Sequence, residues 1–523
     1  MNTMPHPRAV RPLIIGVVLI AAAVAAAGCA PSPAPSPGYV TDFGSGGGGA
    51  APSSSTNPVD SAPAWRAPQN DPIAWQDCTG QLGERYAAPA AGNATLQCGT
   101  LTVAIGQSRA PLRVALTRAV GPGTPKDAAP LVLVGGTEFT SQRALTTLAA
   151  AEAPLLASRP VVAIDRRGLG ASSPLTCRSA EQRAVFRTGG NPTADLDDRI
   201  AALGRASIEA STLCGDAYPT TLTAFTAAGA AEDLEALRSA WKVPALALLG
   251  VGDGSSTVLA YAAEHPKQVA RLALDSPVRY AAMESARAED AAKGTAATLQ
   301  ALSTQCGPGC ALGPDPASAV RELVDRAASG ALAPFTDTDV RRAVITTLGI
   351  GAGTRDARIA ALATALQAAR TGDPGPLRAI LRTADDALGT DGQFIGRCSD
   401  AVQKASPDQA KSLAQKWGPQ YRLGAASALS LADCSAWPTM PAPPTLTPLS
   451  VRSLVATAAA DPLTSRDALE SLTGQLTVAG AQPGAVTWGG IGDGAVLRSS
   501  CVQNAVVTYL DRLEAPSTRA CPA

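Results

Sequence analysis

Leu248-Leu249-Gly250-Val251-Gly252-Asp253-Gly254 runs an apolar segment into a glycine-rich turn, and Ser255 to Glu264 beyond it read as a helix. A strand passing through such a turn into a helix is the setting of the Gly-x-Ser-x-Gly elbow, whose strained backbone lifts a serine hydroxyl above a sheet. Here the middle position is Gly252, which carries no attacking atom. The stretch predicts an architecture and removes the chemistry that usually accompanies it.

On either side the pattern alternates. Leu101–Ile105, Leu112–Val120, Leu131–Val134 and Val161–Ile164 read as strands. A helix is expected over Ala230–Trp241, with Leu234, Leu237 and Trp241 on one face, then strands at Ala245–Leu249 and Val269–Leu274. Short, near-continuous aliphatic runs suit parallel strands covered on both faces, and their alternation with helices implies a doubly wound α/β sheet. From about 279 to 440 strand signals stop. Apolar positions recur at helical spacing in Ala317–Ala328, Val340–Leu348, Ile359–Ala369 and Leu377–Ala387, which predicts a helical lid over the carboxyl edge of the sheet. Alternation returns at Ser453–Thr457, Ala468–Leu472, Ala485–Trp488 and Ser499–Leu510. The expected organisation is a sheet-bearing core in two parts, 67–278 and 441–523, around a lid at 279–440.

At 523 residues the chain is long enough for a large α/β domain plus an insertion, and 46% apolar residues support a packed core. Net charge is zero, and no basic stripe stands out, which argues against a nucleic-acid partner. Arg8 and Arg11 precede an apolar run from Leu13 to Ala27 that ends Ala26-Ala27-Gly28-Cys29. This resembles a bacterial lipoprotein signal over residues 1–28, with Cys29 as the lipid-bearing new N-terminus. Plain secretion or an uncleaved anchor are the alternatives. Residues 29–66, rich in Pro, Ser, Gly and Ala, read as a flexible tether. The expected location is the outer face of the cytoplasmic membrane. Setting Cys29 aside leaves ten cysteines, an even number in an exported chain, which fall into neighbouring pairs: Cys78/Cys98, Cys177/Cys214, Cys306/Cys310, Cys398/Cys434 and Cys501/Cys521. Sequence alone leaves their connectivity open. No metal or cofactor site is read, since His265 is the only histidine after the signal and Cys306-x-x-x-Cys310 has no partner cluster.

From Trp75 to Cys521 the chain resembles secreted α/β hydrolases of the tripeptidyl-aminopeptidase and proline-iminopeptidase type. Asp165-Arg166-Arg167-Gly168-Leu169-Gly170-Ala171-Ser172 matches that family's Asp-x-Arg-Gly-x-Gly-x-Ser turn, and Cys177 follows it. Gly250 to Pro266 follows the elbow and its helix without a gap, and Leu272 to Asp275 matches the next strand. Cys434-x-x-Trp437-Pro438 and the tail Cys501…Tyr509-Leu510…Pro516…Cys521 fit as well. The resemblance implies an α/β-hydrolase fold and an ancestry in serine peptidases, whose serine, histidine and aspartate act with an amide oxyanion hole.

Carried over residue by residue, the nucleophile falls on Gly252. The acid falls on Asp461 of Asp461-Pro462-Leu463-Thr464, and the base on Asp493 of Gly490-Ile491-Gly492-Asp493-Gly494, where histidine is the family's residue. The oxyanion loop falls on Gly135 and Gly136, with Asp253 after the nucleophile position. Glu138 nearby has the wrong sign for a site that stabilises negative charge. Ser255 and Ser256 are expected to cap the helix start, and His265 to lie at its far end. Asp493 is expected to point into solvent or to bond backbone amides; a cation site or an acid–base pair with Asp461 are the sharper alternatives. Arg166 and Arg167 are expected to brace loops. Asp253 could replace the nucleophile only from position 252. These residues imply a non-catalytic envelope protein whose cleft binds a peptide, a lipid or another envelope protein. A hydrolase with a rearranged catalytic set and a scaffold with a filled cleft are the alternatives.

Overall fold

The computed structural model describes residues 62–88, 94–106, 109–191, 194–446, 448–449 and 451–523; the expected signal, Cys29 and all but the end of the tether lie outside them. The described strands are β1 (Gln76–Asp77), β2 (Thr95–Ile105), β3 (Ala110–Val120), β4 (Leu131–Val134), β5 (Val161–Ile164), β6 (Leu246–Val251), β7 (Val269–Asp275), β8 (Ser453–Ala460), β9 (Gly484–Ile491) and β10 (Arg519–Cys521). They form one sheet in the order β1-β2-β3-β5-β4-β6-β7-β8-β9-β10. β1, β2, β3 and β5 pair antiparallel in turn, and every pairing from β5 through β4 to β10 is parallel. Every residue of β4, β5, β6 and β7 is buried, as parallel strands covered on both faces require. The expected α/β sheet is present, with β2 and β3 longer than the apolar runs alone indicate.

The chain leaves β4 toward β5 on one side and returns to β6 on the other. The carboxyl ends of β4 and β6 therefore flank a topological switch point, where open α/β sheets bind ligands. The loop after β4 begins at Gly135 and the turn after β6 at Gly252.

Between β7 and β8 the described elements are all helical, from Glu284–Gln305 through Ala432–Cys434. Leu302, Leu323, Val344, Leu362, Leu366 and Leu377 form a second core there. Ala460 and Ile491, the last residues of β8 and β9, join that core, so the helical layer packs on the carboxyl edge as expected. A further helix, Leu196–Ala217, lies in the chain between β5 and β6 yet packs through Ile200 and Leu203 against Ala410, Ala414 and Trp417 of Pro407–Gln420. The helical layer thus draws on two stretches of chain.

Arg166 and Arg167 brace these parts. Arg166 makes a two-pronged pair with Asp400 at the end of helix Asp391–Asp400 and donates to Phe225 O. Arg167 pairs in the same manner with Asp233, on the helix that leads to β6. Among the described residues no helix is long and apolar enough to cross a membrane.

The connectivity that the sequence leaves open is settled pair by pair. Disulfides join Cys78 to Cys98, Cys177 to Cys214, Cys306 to Cys310, Cys398 to Cys434 and Cys501 to Cys521. The surroundings of Cys98 correct one expectation. The apolar pattern starts the first strand at Leu101 and leaves Cys98 ahead of it. In the structure Cys98 lies inside β2, opposite Gln76 of β1 and Thr117 of β3. Polar Thr95, Gln97 and Thr100 hide this part of the strand from a hydrophobicity reading, while the backbone ladder to β3 continues through it. Cys78 is buried and Cys98 half-buried, and Gln142 Nε2 lies 3.9 Å from Cys98 Sγ.

Candidate active site

The elbow is intact in backbone. Gly252 has φ +57°, the left-handed conformation that the nucleophile turn demands. Its N–H donates to Asp275 O at 2.9 Å. A Cβ on Gly254 would lie 2.3 Å from Val134 O, so glycine there lets the helix N-terminus press against the end of β4. The turn keeps the shape that presents a nucleophile and presents none. Neither Ser255 nor Ser256 caps the helix as expected, because Asp253 holds the cap position. Ser255 is buried, and its hydroxyl donates backward to Gly252 O at 2.7 Å. Ser256 is buried in the first turn, where its N–H donates to Asp253 O. His265 ends the helix, where its ring packs 4.9 Å from that of Tyr261.

Asp253 begins the helix and turns its carboxylate into the oxyanion loop. Both oxygens accept from Thr137 N, at 2.9 and 3.0 Å, and Oδ2 also accepts from the Thr137 hydroxyl at 2.7 Å. The fit is close enough that a Cβ on Gly136 would fall 1.4 Å from Asp253 Oδ1. The loop amide that would help to meet a developing oxyanion, beside the N–H of Asp253 itself, is already bonded to a carboxylate. Burial pushes the Asp253 carboxyl up to about 6; Glu138 adds to the rise and Arg287 opposes it.

Asp461 follows β8, and its Oδ1 accepts from Leu463 N at 2.9 Å while Oδ2 accepts no hydrogen bond. Burial pushes it up to about 6. Asp493 follows β9 by way of Gly492, whose φ is +137°. The structure corrects the expectation for Asp493: it neither reaches solvent nor bonds backbone amides. It is buried, and neither carboxylate oxygen accepts a hydrogen bond. Its backbone is held instead, N–H to Gly349 O and carbonyl from Arg498 Nε, so the side chain is aimed inward by the loop. Asp493 Oδ2 lies 2.9 Å from where a Cβ on Gly252 would stand. A carboxylate thus fills the space of the absent serine side chain.

Burial, then the charges of Asp461 and Asp275, drive the Asp493 carboxyl well above the ordinary carboxylate range. Asp275, at the end of β7, accepts from Ala495 N and Val496 N and is itself pushed up to about 7 by burial. The neighbouring cation, Arg498, is committed to the carbonyls of Asp493, Gly351 and Gly349. Sequence reasoning gave Asp275 and Arg498 no role; only a strand end and an isolated arginine marked them. Among the described residues, no group of three or more His, Cys, Asp or Glu is arranged to hold a metal ion.

Above Gly252 and Asp253 opens a cavity of about 440 Å³, walled by Leu463 and Thr464 from the core and by helices of the helical layer. Asp461, Asp493 and Asp275 are not among its lining residues.

Residues 147–306 match the family model described as alpha/beta hydrolase fold, and residues 419–521 match the one described as TAP-like protein. With the sheet order and the elbow, that decides the architecture. The chain has the α/β-hydrolase fold, with a TAP-like C-terminal region. Similar solved structures include a bacterial membrane phospholipase A described as a virulence factor, 15% identical, covering 83% of this chain and 91% of that one, at a TM-score of 0.37. A serine hydrolase from Cycloclasticus zankles is 12% identical, covering 80% and 99%, at 0.38. An esterase from Rhodococcus sp. is 15% identical, covering 79% and 99%, at 0.34. No curated protein matches the chain.

Proposed function

We propose that this α/β-hydrolase-fold protein is a non-catalytic ligand-binding protein of the bacterial cell envelope, exported and anchored through lipid on Cys29. The observation that carries the reading is the Asp253 carboxylate in the oxyanion loop, bonded to Thr137 N beside an elbow that has no side chain. Catalysis of acyl transfer needs an attacking atom, a base and an empty amide site for the oxyanion. Gly252, Asp493 and Asp253 supply none of the three. The open cavity supports binding, since about 440 Å³ falls within the ~300–1,000 Å³ of ordinary small-molecule pockets. It speaks against a scaffold with a filled cleft.

Five disulfides support export, because such bonds persist in oxidising compartments. The lipid anchor rests on the Ala26-Ala27-Gly28-Cys29 segment.

A second reading, hydrolysis by an Asp461–Asp493 acid–base pair, draws on the raised carboxyls of both residues. It carries less weight because both carboxyls are buried and neither lines the cavity. Incubating the purified ectodomain with a panel of aminoacyl and ester substrates separates the readings. No turnover above the blank is expected. Turnover that disappears in Asp493→Asn would establish the second reading. Labelled Cys29 in the membrane fraction tests the anchor, and a soluble, unmodified protein in the medium would overturn it.

A further inference from the structure

The cavity wall is unevenly charged. Asp253, Glu284, Asp290 and Asp433 line it, yet each is buried, and three of the four are committed: Asp253 to Thr137, Asp290 to Arg279 and Asp433 to Arg397. Glu284 accepts from Ala405 N, and burial pushes its carboxyl up to about 7. Of the lining cations, Arg178 and Arg342 are buried and paired with Asp391 and Asp385, and the others are more accessible. Arg183, Arg187, Arg287, Arg341 and Arg397 are all half-buried or exposed, against Glu138 and Asp385 among the lining acids.

Two of these arginines stand apart. Among the described residues, neither Arg287 nor Arg341 makes a side-chain hydrogen bond or an ion pair, and the buried Nε of Arg341 donates to nothing. Burial, and then the neighbouring Arg397, lower the Arg341 guanidinium to about 10, against a partial offset from Glu138 and Asp433. An arginine held beside another cation without a bonded counter-charge is a poor stability choice and a good anion receptor, because its planar fork matches carboxylate and phosphate oxygens.

The apolar part of the wall is Phe186, Phe394, Leu388, Leu431, Ile345 and Leu463, interrupted by Thr338, Gln393, Ser430 and Thr464. Apolar surface also continues outward. Met283 and Val402 are 52% and 40% exposed, and each is next in sequence to a lining residue, Glu284 and Ala401.

We infer that the cavity binds an amphipathic anion, an alkyl chain ending in a carboxylate or phosphate, with Arg341 and Arg287 on the anionic head and the phenylalanine and leucine wall around the chain. This rests on the ligand-binding reading above and names its ligand class.

Calorimetric titration of the purified protein with decanoate, decyl phosphate, decanol and inorganic phosphate tests it. Decanoate and decyl phosphate should bind at least about tenfold more tightly than decanol, and inorganic phosphate should not bind measurably, since the head contributes a charge-assisted bond and the chain the rest. Arg341→Ala should weaken decanoate by about tenfold or more and leave decanol unchanged, while Arg341→Lys should recover part of the loss. The unchanged decanol value shows that the variant folds. Decanol binding as tightly as decanoate, or an equal loss of both in Arg341→Ala, overturns the anion assignment and leaves ligand binding standing. Inorganic phosphate binding as well as decyl phosphate removes the alkyl chain from the inference. If none of the four binds, this inference fails. The ligand-binding reading itself fails only if a crystal structure also shows the cavity closed.

Discussion

Replacing Asp493 with asparagine keeps the shape of the side chain and removes its charge. Both oxygens of Asp493 lack hydrogen bonds, and so does Oδ2 of its neighbour Asp461. An asparagine amide can donate toward that oxygen while no longer requiring a buried anion. The scale of the effect comes from Asp461, whose carboxyl moves from 3.8 to about 6 on burial. Two pH units correspond to about 3 kcal/mol for one ionised carboxyl in this environment. With roughly 460 folded residues, unfolding entropy is about 1 kcal/mol per kelvin, so Asp493→Asn should raise Tm at pH 7.5 by about 2–3 °C.

The sign depends on pH. A carboxyl whose folded pKa lies above its unfolded value contributes fully below about pH 4, and that share is lost as pH rises toward the raised folded value. The parent protein should therefore lose stability as pH rises above about 4, and the variant should lose less. Scanning calorimetry from pH 4.5 to 8, at fixed ionic strength and with disulfides intact, reads both quantities. A lower Tm for Asp493→Asn at pH 7.5, or an unchanged slope with pH, would refute the assignment of Asp493 as a buried, uncompensated carboxyl.

Restoring the serine alone should fail. Gly252→Ser places a Cβ in the left-handed region, 2.9 Å from Asp493 Oδ2, and should cost about 1–2 kcal/mol in denaturant titration with no gain in ester hydrolysis. Combined with Asp493→His and Asp253→Ala, the same serine should become reactive toward a fluorophosphonate, because an imidazole then sits beside Asp461 and Thr137 N–H is freed. Mass spectrometry reads the adduct, and Gly252→Ser labelling equally well alone would contradict the roles given to Asp493 and Asp253. Arg166→Ala should destabilise by about 3–5 kcal/mol, since it leaves the Asp400 carboxylate buried without its counter-charge and with only the Ala227 amide as donor; a loss under about 1 kcal/mol would show that the pair does not hold the helical layer to the core.

Much of this architecture is legible in the residues. The all-buried strands β4 to β7 are written as near-continuous aliphatic runs, broken by Gly250 in β6 and Arg271 in β7, and Gly250 and Gly254 mark a turn where helix and strand approach too closely for side chains. The cysteines pair with neighbours because each pair lies across one short excursion of chain. The strand around Cys98 is less legible, since its polar residues are held by the ladder to β3 rather than by burial. Helix Leu196–Ala217 is a second counter-example. Its buried face is built partly of Ala206, Ser207, Ala210 and Cys214, while Ile208 and Leu213 are exposed, so its apolar period is blurred.

The candidate site was legible by position and illegible in arrangement. Gly252, Asp461 and Asp493 do converge. Residues 137 and 253 are far apart in sequence, and nothing local to either records that Asp253 bonds the Thr137 amide. Nor does the loop around Asp493 announce that Arg498 and Gly349 hold its backbone and turn the side chain inward.

The central claim is that no group in this elbow can form a covalent bond to an acyl or phosphonyl centre. Intact-mass analysis of the purified protein after saturating fluorophosphonate treatment tests it most directly. An unchanged mass is the expected result. A single adduct mapping to the 252–256 peptide, abolished by Ser255→Ala or Ser256→Ala, would contradict it.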